Sequence, residues 1–151
     1  MNPSLYFNLW KNHPGRGVYP CDKSQFQKQC AIRMSTALHL SNVDISSFSG
    51  AKCWVSHEDG FKHILRAQEL ADWIHIHPEI FGHRKLYEKK KYPKLNHSDF
   101  WKMKGIIFFK DGWGATDHID VWNSSEMKGG ETEYFLASSA KSFFLSSSFR
   151  L

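Results

Sequence analysis

Cysteine is scarce, proline is sparse and long apolar runs are absent: the 151 residues hold three cysteines and five prolines. An odd cysteine count makes a poor disulfide framework, so at least one of Cys21, Cys30 and Cys53 is expected as a free thiol. The longest purely apolar run, Ile106 to Phe109, falls far short of the roughly 18 to 20 residues a membrane-spanning helix needs, and no membrane insertion is expected. Residues Met1 to Asn8 carry neither a basic leader nor a sustained apolar stretch, so no signal peptide is visible and any export is expected by another route. Acidic residues are fewer than basic ones, 15 against 20, for a net charge of +5 that favours an acidic partner. The basic stretch Arg84–Lys85, Lys89–Lys91 and Lys94 comes without paired Cys and His ligands or an RNA-binding aromatic motif. It reads as a solvated loop, with no nucleic-acid partner. Hydrophobic residues are not scarce: 41% of the chain, with 15% aromatic, excludes disorder, and the length suits one compact domain.

Periodicity divides that domain into helices first and strands last. Residues 1–23 are rich in breakers, with a short helical turn at Leu5, Phe7, Leu9 and Trp10, and read as a covering arm. From Ser24 to Leu40, Phe26, Cys30, Met34, Ala37 and Leu38 recur at helical spacing. A Ser24/Gln27 capping box would start this helix early; a loop through Lys28 would start it near Gln29 and place Cys30 in the first turn, which is the expectation adopted. A second helix is expected from Phe61 to Ile74, then an irregular excursion over 75–104. Strands are expected at Gly105–Phe109, Thr116–Trp122 and Glu131–Ala137, with a turn at Asp111–Gly112 and an edge strand at Phe143–Leu145. This order implies an α+β fold with N-terminal helices packed on a C-terminal antiparallel sheet.

A cysteine at a helix start meets free N–H groups that favour thiolate over thiol. Alternation over Thr116–Trp122 puts His118, Asp120 and Trp122 on one strand face and Ile119 and Val121 on the other, so His118 can look outward while the apolar pair faces the core. A helix-borne cysteine followed by a sheet-borne histidine suits acyl transfer, the imidazole taking the thiol proton and returning it to the leaving amine. Other groups read more plainly. His75, His77 and His83 lack the cysteine or carboxylate company of a metal site and read as solvated histidines, and no cofactor or metal is expected. A Cys21–Cys53 disulfide would leave Cys30 as the odd thiol. Trp113 and Trp122 are candidates to line a substrate groove.

The segment Gln29-Cys30-Ala31-Ile32-Arg33-Met34-Ser35-Thr36-Ala37-Leu38 closely resembles the nucleophile helix of the type VI secretion amidase effectors, particularly the fourth subfamily. Gly114 to Asn123 resembles its histidine strand, and weaker similarity at Phe7–Trp10, Leu65–Ala71 and Lys104–Phe109 spreads the resemblance over most of the chain. The resemblance implies a papain-like (NlpC/P60) domain over residues 1–151, with Cys30 as nucleophile and His118 as base. It implies hydrolysis of peptidoglycan stem peptides, typically between D-glutamate and meso-diaminopimelate, in the periplasm of a recipient cell, and a cognate periplasmic immunity protein. It also implies a carboxylate on the strand after the histidine that orients the imidazole. Glu131 is preferred for that role over Glu133 and over Asp120, because same-strand Asp120 sits about 6.6 to 6.8 Å along the chain from His118 and needs a bend to reach it. Asp117 departs from the family, which commonly has glycine there, and adds negative charge beside the histidine. Two alternatives stand beside this reading: a papain-like deamidase or acyltransferase acting on a protein, and a non-enzymatic basic binding domain.

Overall fold

The structure, a computed structural model, describes residues 1–55, 57, 60–113, 116–136 and 142–150, with residue 113 and residues 142–150 described through their backbone alone. Asn2 accepts a hydrogen bond from the Leu5 N–H at 2.7 Å and Pro3 takes the first helical position, so helix α1 runs Pro3–Asn12. Its Tyr6 and Leu9 are buried in the main apolar cluster. The N-terminal arm is therefore rooted in the core and not laid over it.

Helix α2 (Cys30–Leu40) begins at the later of the two starts open to the sequence. The reason lies in Asp22, whose carboxylate accepts from the Ser24 N–H at 2.9 Å and whose carbonyl accepts from Gln25 and Phe26, so this stretch forms a turn. Helix α3 (Ala67–His75) starts six residues after the expected Phe61, since the preceding segment is held as extended chain. There Cys53 N–H donates to the His63 carbonyl, Leu65 N–H to that of Ala51, and Lys52 bridges Ile64. A short helix α4 (Pro78–Phe81) follows.

Four strands, β1 (Lys85–Glu88), β2 (Met103–Trp113), β3 (Thr116–Trp122) and β4 (Ser142–Arg150), form one antiparallel sheet in the order β1-β4-β2-β3. The expected edge strand at Phe143–Leu145 is thus an inner one, because β1, which lies in the stretch expected to be irregular, pairs on its far side. Asp111–Gly112 is not a turn. Asp111 takes a left-handed φ of 51° at a register shift within β2, and its N–H is held by the Asp117 carboxylate at 2.8 Å. The expected strand at Glu131–Ala137 is a 3-10 helix over Thr132–Leu136, with Ala137 outside the described residues. Phe135 instead buries its ring against Phe100, Phe109 and Trp122, which the helical turn allows.

Both faces of β3 are covered. Ile119 and Val121 pack with Ala31, Met34 and Leu38 of α2 in the main cluster, each such burial stabilising by about 1.5–3 kcal/mol. The opposite face carries His118, Asp120 and Trp122 against a smaller cluster of Phe109, Met127 and Phe135. His118 is consequently buried, not outward-looking as alternation alone suggests. Trp122 is also fully buried, its indole N–H donating to the Phe100 carbonyl at 3.0 Å, so it lines no groove. No helix among the described residues is long and apolar enough to cross a membrane.

Candidate active site

Cys30 is the first residue of α2, where the helix leaves its N–H groups without intrahelical acceptors. Strand β3 lies at the sheet edge, so its outer side meets this helix end. There the Cys30 Sγ lies 3.8 Å from the Asp117 carbonyl oxygen, and the imidazole of His118 is close enough to act on the thiol electrostatically. The far side of that ring, Nε2, is 2.8 Å from Oδ2 of Asp120, which leaves Nδ1 for the thiol. Asp120 has no solvent exposure and is held in turn by the Val121 N–H at 2.8 Å and the Gly129 N–H at 3.0 Å.

Electrostatics follow from this geometry. Burial opposes ionisation of Cys30, but the hydrogen bond and charge of His118, with the Ile119 and Ala31 N–H groups, outweigh it and hold the thiol below its ordinary range. Burial likewise opposes a charged His118, yet Asp120 and Cys30 raise it from 6.5 to about 9. For Asp120, burial is overcome chiefly by the hydrogen bond and charge of His118, and the carboxyl stays below its ordinary range. The arrangement favours a thiolate beside an imidazolium.

The expected orienting acid, Glu131, lies elsewhere. It pairs with Arg16 at 2.6 Å, both side chains more than half exposed, and Arg16 also donates to the Gly130 carbonyl at 2.7 Å. Asp120 occupies the position against the imidazole because the long ring reaches along the strand to its same-face neighbour. Sequence reading missed two further contributors. His13, buried at the end of α1, places Nε2 3.6 Å from Oδ1 of Asp120. Burial holds its pKa down at about 4, so this is a neutral ring against a carboxylate and not an ion pair. Its Nδ1 accepts from the Gly15 N–H at 3.1 Å, fixing the remaining proton on Nε2 toward Asp120. Gly130 passes so close to His118 that a Cβ there would lie 2.7 Å from Nε2 and 2.7 Å from the Tyr134 ring.

Cys30 sits between two cavities. One of about 360 Å³ is lined by Gln29, Arg33, Thr116, His118 and Tyr134; another of about 350 Å³ is lined by Leu65, Arg66, Gln68 and Glu69; Lys28, Cys30 and Asp117 border both. Gln29 donates its side-chain N–H groups to the Cys21 and Phe26 carbonyls, and its buried Oε1 has no hydrogen-bond partner among the described residues. Cys21 and Cys53 are unpaired thiols, 2% and 1% exposed, that border neither cavity. Histidines 75, 77 and 83 form no metal-binding group among the described residues, His77 being hydrogen-bonded to the Trp73 carbonyl at 2.7 Å.

Solved structures share this fold. The effector of the Tae4–Tai4 effector–immunity system of Salmonella typhimurium is 22% identical over 95% of each chain, with a TM-score of 0.67. The effector Tae4 of Enterobacter cloacae is 20% identical over 97% of each chain, at 0.68, and the Tae4–Tai4 complex from the same organism matches at 19% identity and 0.66, covering 97% of this chain and 99% of that one. No curated protein matches the sequence significantly. A family model described as type VI secretion system (T6SS), amidase effector protein 4, matches residues 26–146, a span that includes Cys30, His118 and Asp120. The chain belongs to the type VI secretion system amidase effector 4 family.

Proposed function

We propose that this amidase effector cleaves peptidoglycan stem peptides in the recipient's periplasm, at the D-glutamyl to meso-diaminopimelate bond, with Cys30 as nucleophile, His118 as general acid and base, and Asp120 as the orienting acid. The observation that carries the reading is the buried His118–Asp120 hydrogen bond beside the Cys30 thiol at the start of α2, with His118 holding that thiol below its ordinary range and cavities opening to either side. The Cys30 thiolate attacks the amide carbon, and the Cys30 backbone N–H at the positive helix end supports the oxyanion. His118 gives its Nδ1 proton to the leaving amine, and a thioester remains. The same nitrogen then takes a proton from water, whose attack frees the acid and restores the thiol.

The two cavities accommodate chain on both sides of the scissile bond. Lys28 between them, Arg33 on one side and Arg66 on the other supply positive charge suited to the carboxylates of a stem peptide. The buried Gln29 Oε1 is an acceptor suited to a substrate N–H. Acting in this compartment, the enzyme has a cognate periplasmic immunity protein that covers the groove between Cys30 and His118.

Purified muropeptides incubated with the protein and analysed by mass spectrometry test the reading. Separate D-glutamyl and diaminopimelyl products are expected, and none with Cys30→Ala. Intact muropeptides alongside deamidation or acyl transfer on a protein would establish the alternative papain-like chemistry. Unchanged cleavage in Cys30→Ala would overturn Cys30 as the nucleophile, and no cleavage or transfer by the native protein would leave only a binding role.

A further inference from the structure

Away from the catalytic groove, Cys21, Cys53, His57 and His63 bring four ligand atoms within 4.8 Å of one another. From these residues we infer that the protein holds one zinc ion in a closed Cys2His2 site that braces the chain leading into Cys30.

The distances describe a coordination tetrahedron. Cys21 Sγ lies 3.5 Å from His57 Nε2 and 3.0 Å from His63 Nδ1; Cys53 Sγ lies 3.4 Å and 3.7 Å from the same two atoms; the two nitrogens are 3.0 Å apart. With Zn–S of about 2.3 Å and Zn–N of about 2.0–2.1 Å, tetrahedral geometry requires S···N edges of about 3.5 Å and an N···N edge of about 3.3 Å. Four of the five distances fall within about three tenths of an ångström of those edges, the Cys21–His63 distance is about half an ångström short, and the sixth edge, between the two sulfurs, lies within 4.8 Å where about 3.8 Å is required. A disulfide would satisfy the sulfurs alone and leave both imidazole nitrogens converging on it without purpose. Thiolate with imidazole, and no carboxylate in the group, selects zinc over the hard cations.

The backbone has the form such a site needs. Cys53 and His63 face each other across the short antiparallel pairing of 51–53 with 63–65, and His57 reaches in from the loop between them. The His63 N–H donates to Cys53 Sγ at 3.2 Å, a contact that supports a metal-bound thiolate. Cys21 closes the set from a distant segment, 36 residues before His57 and 42 before His63. Phe26, Ile32, Val55 and Leu65 pack around the sulfurs, and the edge of the Phe61 ring contacts His63.

Two thiol protons leave as the ion enters, so two thiolates balance the double positive charge and the site is neutral. Four protein ligands leave no open position, which makes the role structural. Its consequence runs through Cys21, whose carbonyl accepts from Gln29, the residue before the nucleophile. The ion ties the segment before α2 to the 51–65 hairpin, and Gln29 and Cys30 inherit that rigidity.

Metal analysis of the purified full-length chain, by elemental mass spectrometry and native mass spectrometry, tests the site. About one zinc per chain is expected, retained in Cys30→Ala and lost in Cys21→Ala and in His63→Ala. Cobalt(II) added to the metal-stripped chain should give tetrahedral ligand-field bands and a thiolate charge-transfer band, a readout that needs neither activity nor a folded variant. Alkylation of the native holoprotein should label Cys30 alone, and chelation should expose all three thiols and lower the melting temperature. A Cys21–Cys53 disulfide in the purified chain would overturn the inference. So would three reactive thiols and no bound metal after incubation with zinc.

Discussion

Replacing Asp120 by asparagine changes one atom of a buried side chain and separates the two candidate orienting acids. The carboxylate accepts from the ring of His118, from Val121 and from Gly129, so every partner is a donor. An asparagine oxygen that keeps the backbone N–H groups turns its NH2 toward Nε2. That nitrogen must then become an acceptor, which puts the imidazole proton on Nδ1, facing the thiol that it should deprotonate. The loss can be sized from His118, raised from 6.5 to about 9 despite its burial. That rise corresponds to about 3 kcal/mol of preference for the imidazolium, supplied by Asp120 first and by Cys30, and the neutral amide forfeits the share of Asp120 while the burial remains. Turnover should fall on the order of 10²- to 10³-fold, with the His118 pKa returning to its ordinary value or below. Glu131→Gln, at an exposed ion pair worth about 0–1 kcal/mol, should stay within about threefold of the native rate. The assay is turnover of a stem tetrapeptide, with circular dichroism as folding control and NMR titration of His118. Near-native turnover in Asp120→Asn, or a larger loss in Glu131→Gln, would refute the reasoning.

Further outcomes are expected. His13, held near 4 in the fold against an ordinary 6.5, binds its proton more readily when unfolded, so its contribution is full above about pH 6.5 and is lost as pH falls toward 4. Urea unfolding of native protein and His13→Gln at pH 7 and 4.5 should show the native chain losing about 1.4 kcal/mol more per pH unit across that window; parallel profiles would refute it. Gly130→Ala should cost about 1–3 kcal/mol and reduce turnover by displacing His118 or Tyr134, and a variant with native melting temperature and rate would remove the close-approach argument. With a net charge of +5, association with an acidic immunity protein should slow steeply from low to high salt in stopped-flow measurements, and a salt-independent rate would exclude electrostatic steering.

The legible parts of the molecule were those encoded locally. The strand Thr116–Trp122 follows from its alternation alone, and the start of α2 was one of two readings that capping and resemblance offered. The sheet order was not readable, because β1 is a short polar segment whose strand character comes only from pairing with β4. Preference for Glu131 rests on the resemblance, which implies a carboxylate on the following strand, and on ideal backbone spacing, which measures Cα positions and ignores how far an imidazole extends along its own strand. Arg16, 115 residues earlier in the chain, then draws Glu131 to the surface. The Cys2His2 group matches no compact zinc module, since Cys21 stands far from the other three, and only the folded hairpin brings them together.

The groups around Asp120 come from separate stretches of chain: His13 from the first helix, Cys30 from the second, His118 and Asp120 from an edge strand, Gly129 and Gly130 from the loop beyond it. The thiol and the strand that meets it are 87 residues apart, so no short fragment holds both, and closing that distance is among the costlier steps of folding. A nascent or unravelled chain is chemically inert. For a wall-degrading toxin this is latency written into topology: the hazard arises only when the last long-range contact is made, and anything that delays docking of the N-terminal helix delays the arming of the enzyme.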